Sequence, residues 1–453
     1  MASKVFIGAG AGFACDRTDA AGPVADTLAS LPGARFLIFE TLAERTLAQS
    51  QLDRRRDATR GYNPALERFV GPVLARCLRD GIKIIGNFGA ANPSAAAARI
   101  QAMAHAQGLR APRIGVVDGD DLTALLSPAE LAARETGGAV LRNATEIIAA
   151  NLYLGAAPIA QALDQGADIV VTGRVADSAL ALGPLIHAFG WKLDDWGRLA
   201  AGTLAGHLLE CGSQITGGYF ADPPFKTVSG MADLGYPIAE IDPDGGMVIT
   251  KPAATGGRVD RFTVIEQLLY EIHDPSAYLA PDVVLDITDV TVEEVAPDRV
   301  RVTGARGKPA PKATVCVDGG VLGEAEISYA GPNAAARARL AAQTIGERMN
   351  RRAPGLVFRV DAVGVVSVLG DAGGALARPW ACDPGDVRLR FAAQSKIAAE
   401  VELLLDEVEA LYCAGPAGGA GVRKRLTPRL ASASCLIERK YALPRVTLTG
   451  GSP

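Results

Sequence analysis

The sequence predicts an α/β protein, with an N-terminal open parallel sheet flanked by helices and a C-terminal α+β domain of ferredoxin-like order. Three observations lead to this class. Short apolar runs alternate with Ala-rich helical stretches through the first two-fifths of the chain, the rhythm of a parallel sheet covered by helices. Near residue 220 the texture changes to a loop-rich passage, punctuated by Asp222-Pro223-Pro224, Gly245-Gly246 and Gly256-Gly257. The last third then runs strand, helix, strand, strand, helix, strand, the order of a split β-α-β unit. The expected division is residues 1–220 as a Rossmann-like α/β domain carrying the site, and 221–453 as an α+β domain closing or oligomerising over it.

The elements follow in order. KVFI (4–7) is a strand that runs into Gly8-Ala9-Gly10-Ala11-Gly12, read as a tight glycine turn, and then Asp16-Arg17. A helix over Pro23–Ser30 leads to RFLIF (35–39), which ends at Glu40 and is followed by Glu44-Arg45. A helix over Pro64–Arg79 leads to IKIIG (82–86), which ends at Asn87. Asn92 reads as the N-cap, with Pro93 at the first helical position, of a helix over Ser94–Gln107. RIGVV (113–117) ends at Asp118. Residues 143–165 read as a helix broken near Gly155 and Pro158 and then restarted. DIVVTG (168–173) ends at Arg174, with Asp177 beyond, and 175–210 is helical with an interruption at 190–196. From 282 to 330 the pattern is strand-like: VVLDITDVTVEEV, RVRVTGARG, ATVCVDGG and EAEISYAG. The closing order is strand 323–330, helix 333–350, strand 356–369, strand 386–392, helix 394–412 and strand 443–449. Between the last two lies the glycine loop 413–421, followed by Arg423, Lys424 and Arg425.

Bulk properties narrow the function. The 453 residues are 49% hydrophobic and 21% charged, with a formal net charge of −4, which leaves no basic footprint for nucleic acid. No apolar run is long enough to span a bilayer, and the N-terminus enters a strand without a signal-peptide core. Seven cysteines lie scattered without a C-x-x-C pair, as reduced thiols of a cytoplasmic protein do.

Five apolar runs ending in polar residues place a site. In an open parallel sheet, ligands bind outside the carboxyl ends of the strands, so Asp16, Glu44, Asn87, Arg174 and Asp177 share one rim. Arg174 is placed to clamp a carboxylate or phosphate, Asn87 to orient a carbonyl, and Asp16 or Glu44 to serve as general acid or base. His207, Glu210, Cys211, Gln214 and Thr216 cluster ahead of Gly217-Gly218; there Cys211 is a nucleophile candidate against the alternative of a buried, inert thiol. Gly10 and Gly12 with Arg17, and Gly418 and Gly419 near the basic run, offer backbone N–H groups to an anion or to the pyrophosphate of coenzyme A. No metal site stands out, although a divalent ion held by Asp16, Glu44 and Asp118 is an alternative. The GAGAG turn and Glu40 also suggest a nicotinamide cofactor. That suggestion is opposed by the G-x-G-x-G spacing and by a carboxylate at position 16 beside the place of a pyrophosphate.

Seven segments in order, GAGAGFACDR (8–17), FETLAERT (39–46), NFGAANP (87–93), GRVADSALALGPL (173–185), LAAGTLAGHLLECGSQITGG (199–218), TVIEQLLYEIHDPSAYLAPDVVLD (263–286) and GPAGGAGVRK (415–424), resemble the acyclic terpene utilisation protein family, AtuA. The resemblance runs over nearly the whole chain. It implies a catabolic setting of branched acyl-CoA thioesters or other carboxylates. Some family members carry an extra C-terminal domain that this chain lacks, which implies a small partner subunit.

These readings give three function classes. The first is a lyase or hydratase acting without a redox cofactor on a branched hydroxy-acid or its coenzyme A thioester, as a homo-oligomer. The second is a non-catalytic or half-site subunit that needs a small partner protein. The third is an NAD(P)-dependent oxidoreductase.

Overall fold

The computed structural model describes residues 2–136, 141, 147–310, 321–368, 370, 384–428 and 433–451. The chain forms two compact units, Met1–Val317 with Ala433–Pro453, and Asp318–Ser432. The first unit begins β1 (Val5–Gly12), α1 (Ala21–Ser30), β2 (Ala34–Glu40), α2 (Glu44–Arg56), α3 (Leu66–Asp80), β3 (Lys83–Gly86), α4 (Pro93–Ala106) and β4 (Ile114–Asp118). It continues α5 (Pro128–Ala132), β5 (Glu135–Thr136), α6 (Ala157–Asp164), β6 (Ile169–Thr172), α7 (Ala179–Phe189) and α8 (Trp196–Glu210). Then come β7 (Ile238–Ile241), β8 (Met247–Thr250), α9 (Arg261–Leu269), β9 (Tyr278–Leu279), β10 (Val284–Asp286), β11 (Thr291–Ala296), β12 (Arg299–Thr303) and β13 (Arg306–Lys308). The second unit supplies β14 (Val321–Ala330), α10 (Ala334–Arg352), β15 (Phe358–Val363), β16 (Asp386–Ser395), α11 (Ala398–Ala414) and β17 (Ala420–Pro428). The chain returns to the first unit as β18 (Ser434–Cys435) and β19 (Arg445–Thr449).

The five expected strands are neighbours in one sheet of order β11-β12-β8-β7-β1-β2-β3-β6-β4-β19. The run β1-β2-β3-β6-β4 is parallel. Antiparallel strands from 238–303 extend the β1 side, and β19 closes the β4 side. Residues after 220 therefore continue the first sheet. Alternate side chains leave a strand on opposite faces, and β1 sorts accordingly. Val5, Ile7 and Ala9 join the core under α6, α7 and α8. Phe6 joins the core under α1, α3 and α4. A register shift between Ala9 and Ala11 returns Ala11 to the second face, as a β-bulge does. The helices that follow β3 and β6 lie on opposite faces. These strands are neighbours, so the topological switch point, where such sheets bind ligands, falls between them.

The 8–12 segment is strand rather than turn, and packing explains its glycines. A Cβ on Gly8 would lie 2.2 Å from Val24 of α1, and one on Gly10 2.6 Å from the Phe39 ring. Asn92 caps α4, accepting from the Ala95 N–H, with Pro93 at its start. The interruption after α7 is also as expected: Gly190 is left-handed at φ 64 and Asp195 caps α8. The helix expected from 143 begins only at Ala157. Asn151 and Leu154 instead form bridges with Asp121 and Val175; residues 143–146 lie outside the described residues, as does the strand expected at 313–320.

In the second unit the sheet order is β15-β16-β14-β17, all antiparallel. That is a ferredoxin-like sheet, covered by α10 and α11 through Ile327, Tyr329, Phe391, Val401 and Leu404. Its fourth strand is 420–428, including the basic run, rather than 443–449, which became β19 beside β4. Among the described residues, no helix is long and apolar enough to cross a membrane.

Candidate functional site

Outside the carboxyl ends of β1, β2 and β6 lies a pocket of ≈ 490 Å³, a size suited to a small-molecule ligand. Its lining includes eight expected residues: Gly12, Asp16, Glu44, Arg174, Asp177, Glu210, Cys211 and Gln214. Glu40 and Glu271 join them, so six carboxyl groups surround one guanidinium. Phe13, Tyr219 and Tyr270 complete its aromatic wall. Glu271 holds a left-handed backbone at φ 58, a conformation that costs a non-glycine residue free energy and often marks a functional segment.

Arg174 organises the floor. It is 2% exposed. Its Nη1 donates to the Leu42 carbonyl, its Nη2 lies 3.0 Å from Asp177, and its guanidinium stacks 3.9 Å over the Tyr153 ring. The Tyr153 hydroxyl in turn donates to Glu44. The Arg174 N–H donates to Asp120 Oδ2 at 3.0 Å, and burial pushes the Asp120 carboxyl up to about 6. Two nitrogens of the guanidinium are thus engaged by its own chain, while the buried Nε has no hydrogen-bond partner.

The surrounding carboxyls are driven apart. Burial raises Asp177 well above the usual carboxylate range; Arg174 opposes this, while Glu40, Glu210 and Glu44 reinforce it. Burial also raises Glu40, against hydrogen bonds from the Asn87 amide and the Leu42 N–H. Burial pulls Glu44 upward too, but the Arg174 charge and the Tyr153 hydroxyl hold it below its usual range. At the far wall, Glu210 Oε1 lies 3.1 Å from His207 Nδ1. Burial pulls His207 down, yet Glu210 and the Leu268 carbonyl raise it. Burial and then Glu210 push the Cys211 thiol strongly upward, so it is protonated and a poor nucleophile at neutral pH.

Asn87 is fully buried; it donates to Glu40 at 2.9 Å and accepts the Thr41 N–H at 2.7 Å. Asp16 lines the pocket, but its oxygens accept from Gly12 N, Arg17 N and the Tyr236 hydroxyl. Arg17 turns to Asp19 and the Leu234 carbonyl. Thr216 is buried and donates to the Gly235 carbonyl. Gly10 packs on Phe39. Gly418 and Gly419 belong to the second unit, where the neighbouring Ala417 carbonyl accepts from Arg337.

A pyrophosphate finds no cradle at the first strand. The Gly12 N–H already donates to Asp16, and a Cβ there would stand 2.3 Å from the Cys211–Gly212 backbone. Asp118 lies apart from Asp16 and Glu44, in a neighbouring pocket of ≈ 230 Å³, where it accepts from Arg445. Among the described residues, no group of three or more His, Cys, Asp or Glu side chains is arranged to hold a metal ion. The five described cysteines at 15, 77, 211, 413 and 435 are free thiols.

Sequence reasoning passed over Tyr153, Asp120, Tyr270 and Glu271. Asp120 had a signal, the acidic run Asp118-Gly119-Asp120-Asp121 at a strand end. Tyr153 had none, because its extended segment is fixed by bridges to distant residues. Comparisons with curated proteins and with solved structures gave no match. Residues 5–448 match the family described as acyclic terpene utilisation family protein AtuA. With a match over nearly its whole length, the chain belongs to the AtuA family.

Proposed function

We propose that this pocket carries out general acid–base catalysis of a lyase or hydratase type, adding or removing water on a branched hydroxy-acid or its acyl thioester. The observation that carries the reading is the opposite drive on two carboxyls of one pocket, Asp177 raised and Glu44 lowered. Carboxyl groups whose surroundings separate them in this way divide into an acid and a base. In the elimination direction, Glu44 takes the proton from the carbon next to the carbonyl. The freed electron pair forms the C=C bond, and the C–O bond breaks as Asp177 protonates the departing hydroxyl to water. Proton exchange with solvent then restores both groups. Arg174 is a positioning residue, joined to Asp177 directly and to Glu44 through Tyr153.

The pH dependence follows from the signs. Asp177 must be protonated, so rate falls as pH rises through its raised value. Glu44 must be ionised, so rate falls as pH drops through its lowered value. Hydroxyacyl and enoyl thioesters are screened by mass spectrometry for gain or loss of water, with solvent deuterium exchange as the partial reaction. Asp177→Asn is expected to lower kcat by about 10²–10⁴ and to remove the alkaline limb. Glu44→Gln is expected to stop deuterium exchange. Full turnover by Asp177→Asn would sink the assignment.

A further inference from the structure

The charge balance of the pocket says what kind of ligand end it admits. Six carboxyl groups line it against one guanidinium, which is already bonded to Leu42 and paired with Asp177 and keeps only its buried Nε without a partner. A free carboxylate entering here would meet several carboxyl groups against one guanidinium, and each of them that is ionised repels it. One buried group points to the opposite choice. Glu210 is 8% exposed and lines the pocket. Its Oε1 faces His207, while its Oε2 is closed off from bulk solvent and has no hydrogen-bond partner. A buried polar atom left unpaired costs stability that a ligand can recover by pairing with it. His207 is itself anchored on its far side by the Leu268 carbonyl, so Glu210 cannot turn both oxygens to one imidazole without breaking that geometry.

We infer that the ligand end seated beside Glu210 is an uncharged, hydroxyl-bearing group that donates its O–H to Glu210 Oε2, and that free carboxylates are excluded from this position. The inference rests on the hydration reading and chooses between its two substrate forms, in favour of the neutral acyl derivative over the free hydroxy-acid. Glu210 is then the residue that selects and orients the reacting hydroxyl, while Asp177 and Glu44 move protons.

The test is binding, measured by calorimetry on the whole protein with three probes. These are the N-acetylcysteamine thioester of 3-hydroxy-3-methylbutyrate, the same thioester without the hydroxyl, and the free hydroxy-acid. The hydroxy thioester is expected to bind more tightly than the other two by about tenfold or more, the worth of a hydrogen bond to a carboxyl group. In Glu210→Gln the amide oxygen stays with His207 and an NH₂ replaces Oε2. The hydroxyl preference should collapse and the free acid should gain. Equal or tighter binding of the free acid by the unsubstituted protein, no advantage from the hydroxyl, or no binding of any probe would overturn the inference. The unsubstituted protein alone decides these outcomes if Glu210→Gln does not fold. Discrimination without any gain or loss of water would leave the inference standing and remove the catalytic reading; water loss from a bound free acid would do the reverse.

Discussion

Asn87 links two strand ends through one amide. It donates to Glu40 at the end of β2 and accepts the Thr41 N–H, all in buried surroundings. Asn87→Ala leaves a buried carboxyl and a buried backbone N–H each short of a partner, at about 1–3 kcal/mol apiece. A loss of about 2–5 kcal/mol in urea-unfolding stability is expected, and a loss below about 0.5 kcal/mol would show that the amide is dispensable. The position of Asn87 was legible in the sequence because an open parallel sheet gathers every carboxyl strand end on one rim. Its role was not, because what a polar side chain does depends on what reaches it. Arg174 was expected as an anion clamp, and the Leu42 carbonyl, 132 residues earlier, takes one of its nitrogens. Asp16 was expected as an acid or base, and the Tyr236 hydroxyl, 220 residues later, holds it. Both partners come from segments that no local pattern connects. The acidity of the pocket, by contrast, was written in Glu40, Glu44, Asp177 and Glu210, and reading each residue singly concealed their sum.

At the scale of elements, the glycines of β1 mark close approaches, by side chains at Gly8 and Gly10 and by backbone at Gly12. A Cβ on Gly12 would stand 2.3 Å from both the Cys211 carbonyl carbon and the Gly212 nitrogen, and neither atom belongs to a side chain that could rotate away. Gly22, inside α1, has nothing within 4 Å of its Cβ position. Gly12→Ala should therefore destabilise by at least about 1–3 kcal/mol through forced backbone movement. Gly22→Ala should stabilise by about 0.5–1 kcal/mol, since alanine restricts the unfolded chain and suits a helix. Equal thermal shifts for the two variants would contradict this account. The same close approach explains why GAGAG read as a turn: glycine repeats look alike whether they bend a chain or make room beside a straight one. The five parallel strands were legible because each is a short, buried β-branched or aromatic run with a helix-forming stretch after it. Residues 147–155 were not, since an apolar run buried all round has the same composition in helix and extended form. Residues 420–428 were passed over because Arg423, Lys424 and Arg425 were read as the positive flank of a glycine loop. On an edge strand they pair in register with Glu326, Ala325 and Glu324.

For the molecule as a whole, buried carboxyls set how stability follows pH. Asp120 sits at the junction of the extended segment and Arg174, accepting from the Asn151 amide at 2.6 Å and the Arg174 N–H at 3.0 Å through the same oxygen. Burial raises it to about 6, against about 3.9 for an aspartate in an unfolded chain. Between these values the unfolded chain has released the proton and the folded chain still holds it. Stability is therefore full at the acid end of the window and falls as pH rises, by about 3 kcal/mol once both states are ionised. Asp168 works the other way. Burial raises it, but Arg110, the Arg113 N–H and Lys83 together hold it far below the usual range, so its stabilisation is lost as pH falls through the acid region. A single pH profile of the protein mixes the two, and a difference between proteins separates them. Asp120→Asn keeps an oxygen acceptor for both hydrogen bonds and carries no charge to desolvate. Its urea midpoint should match the parent protein near pH 4 and exceed it at pH 7, with a gap of up to about 3 kcal/mol that opens between the two. A gap of constant size at both pH values would mean that Asp120 is not the group that titrates there, and that its surroundings stabilise the charged form after all.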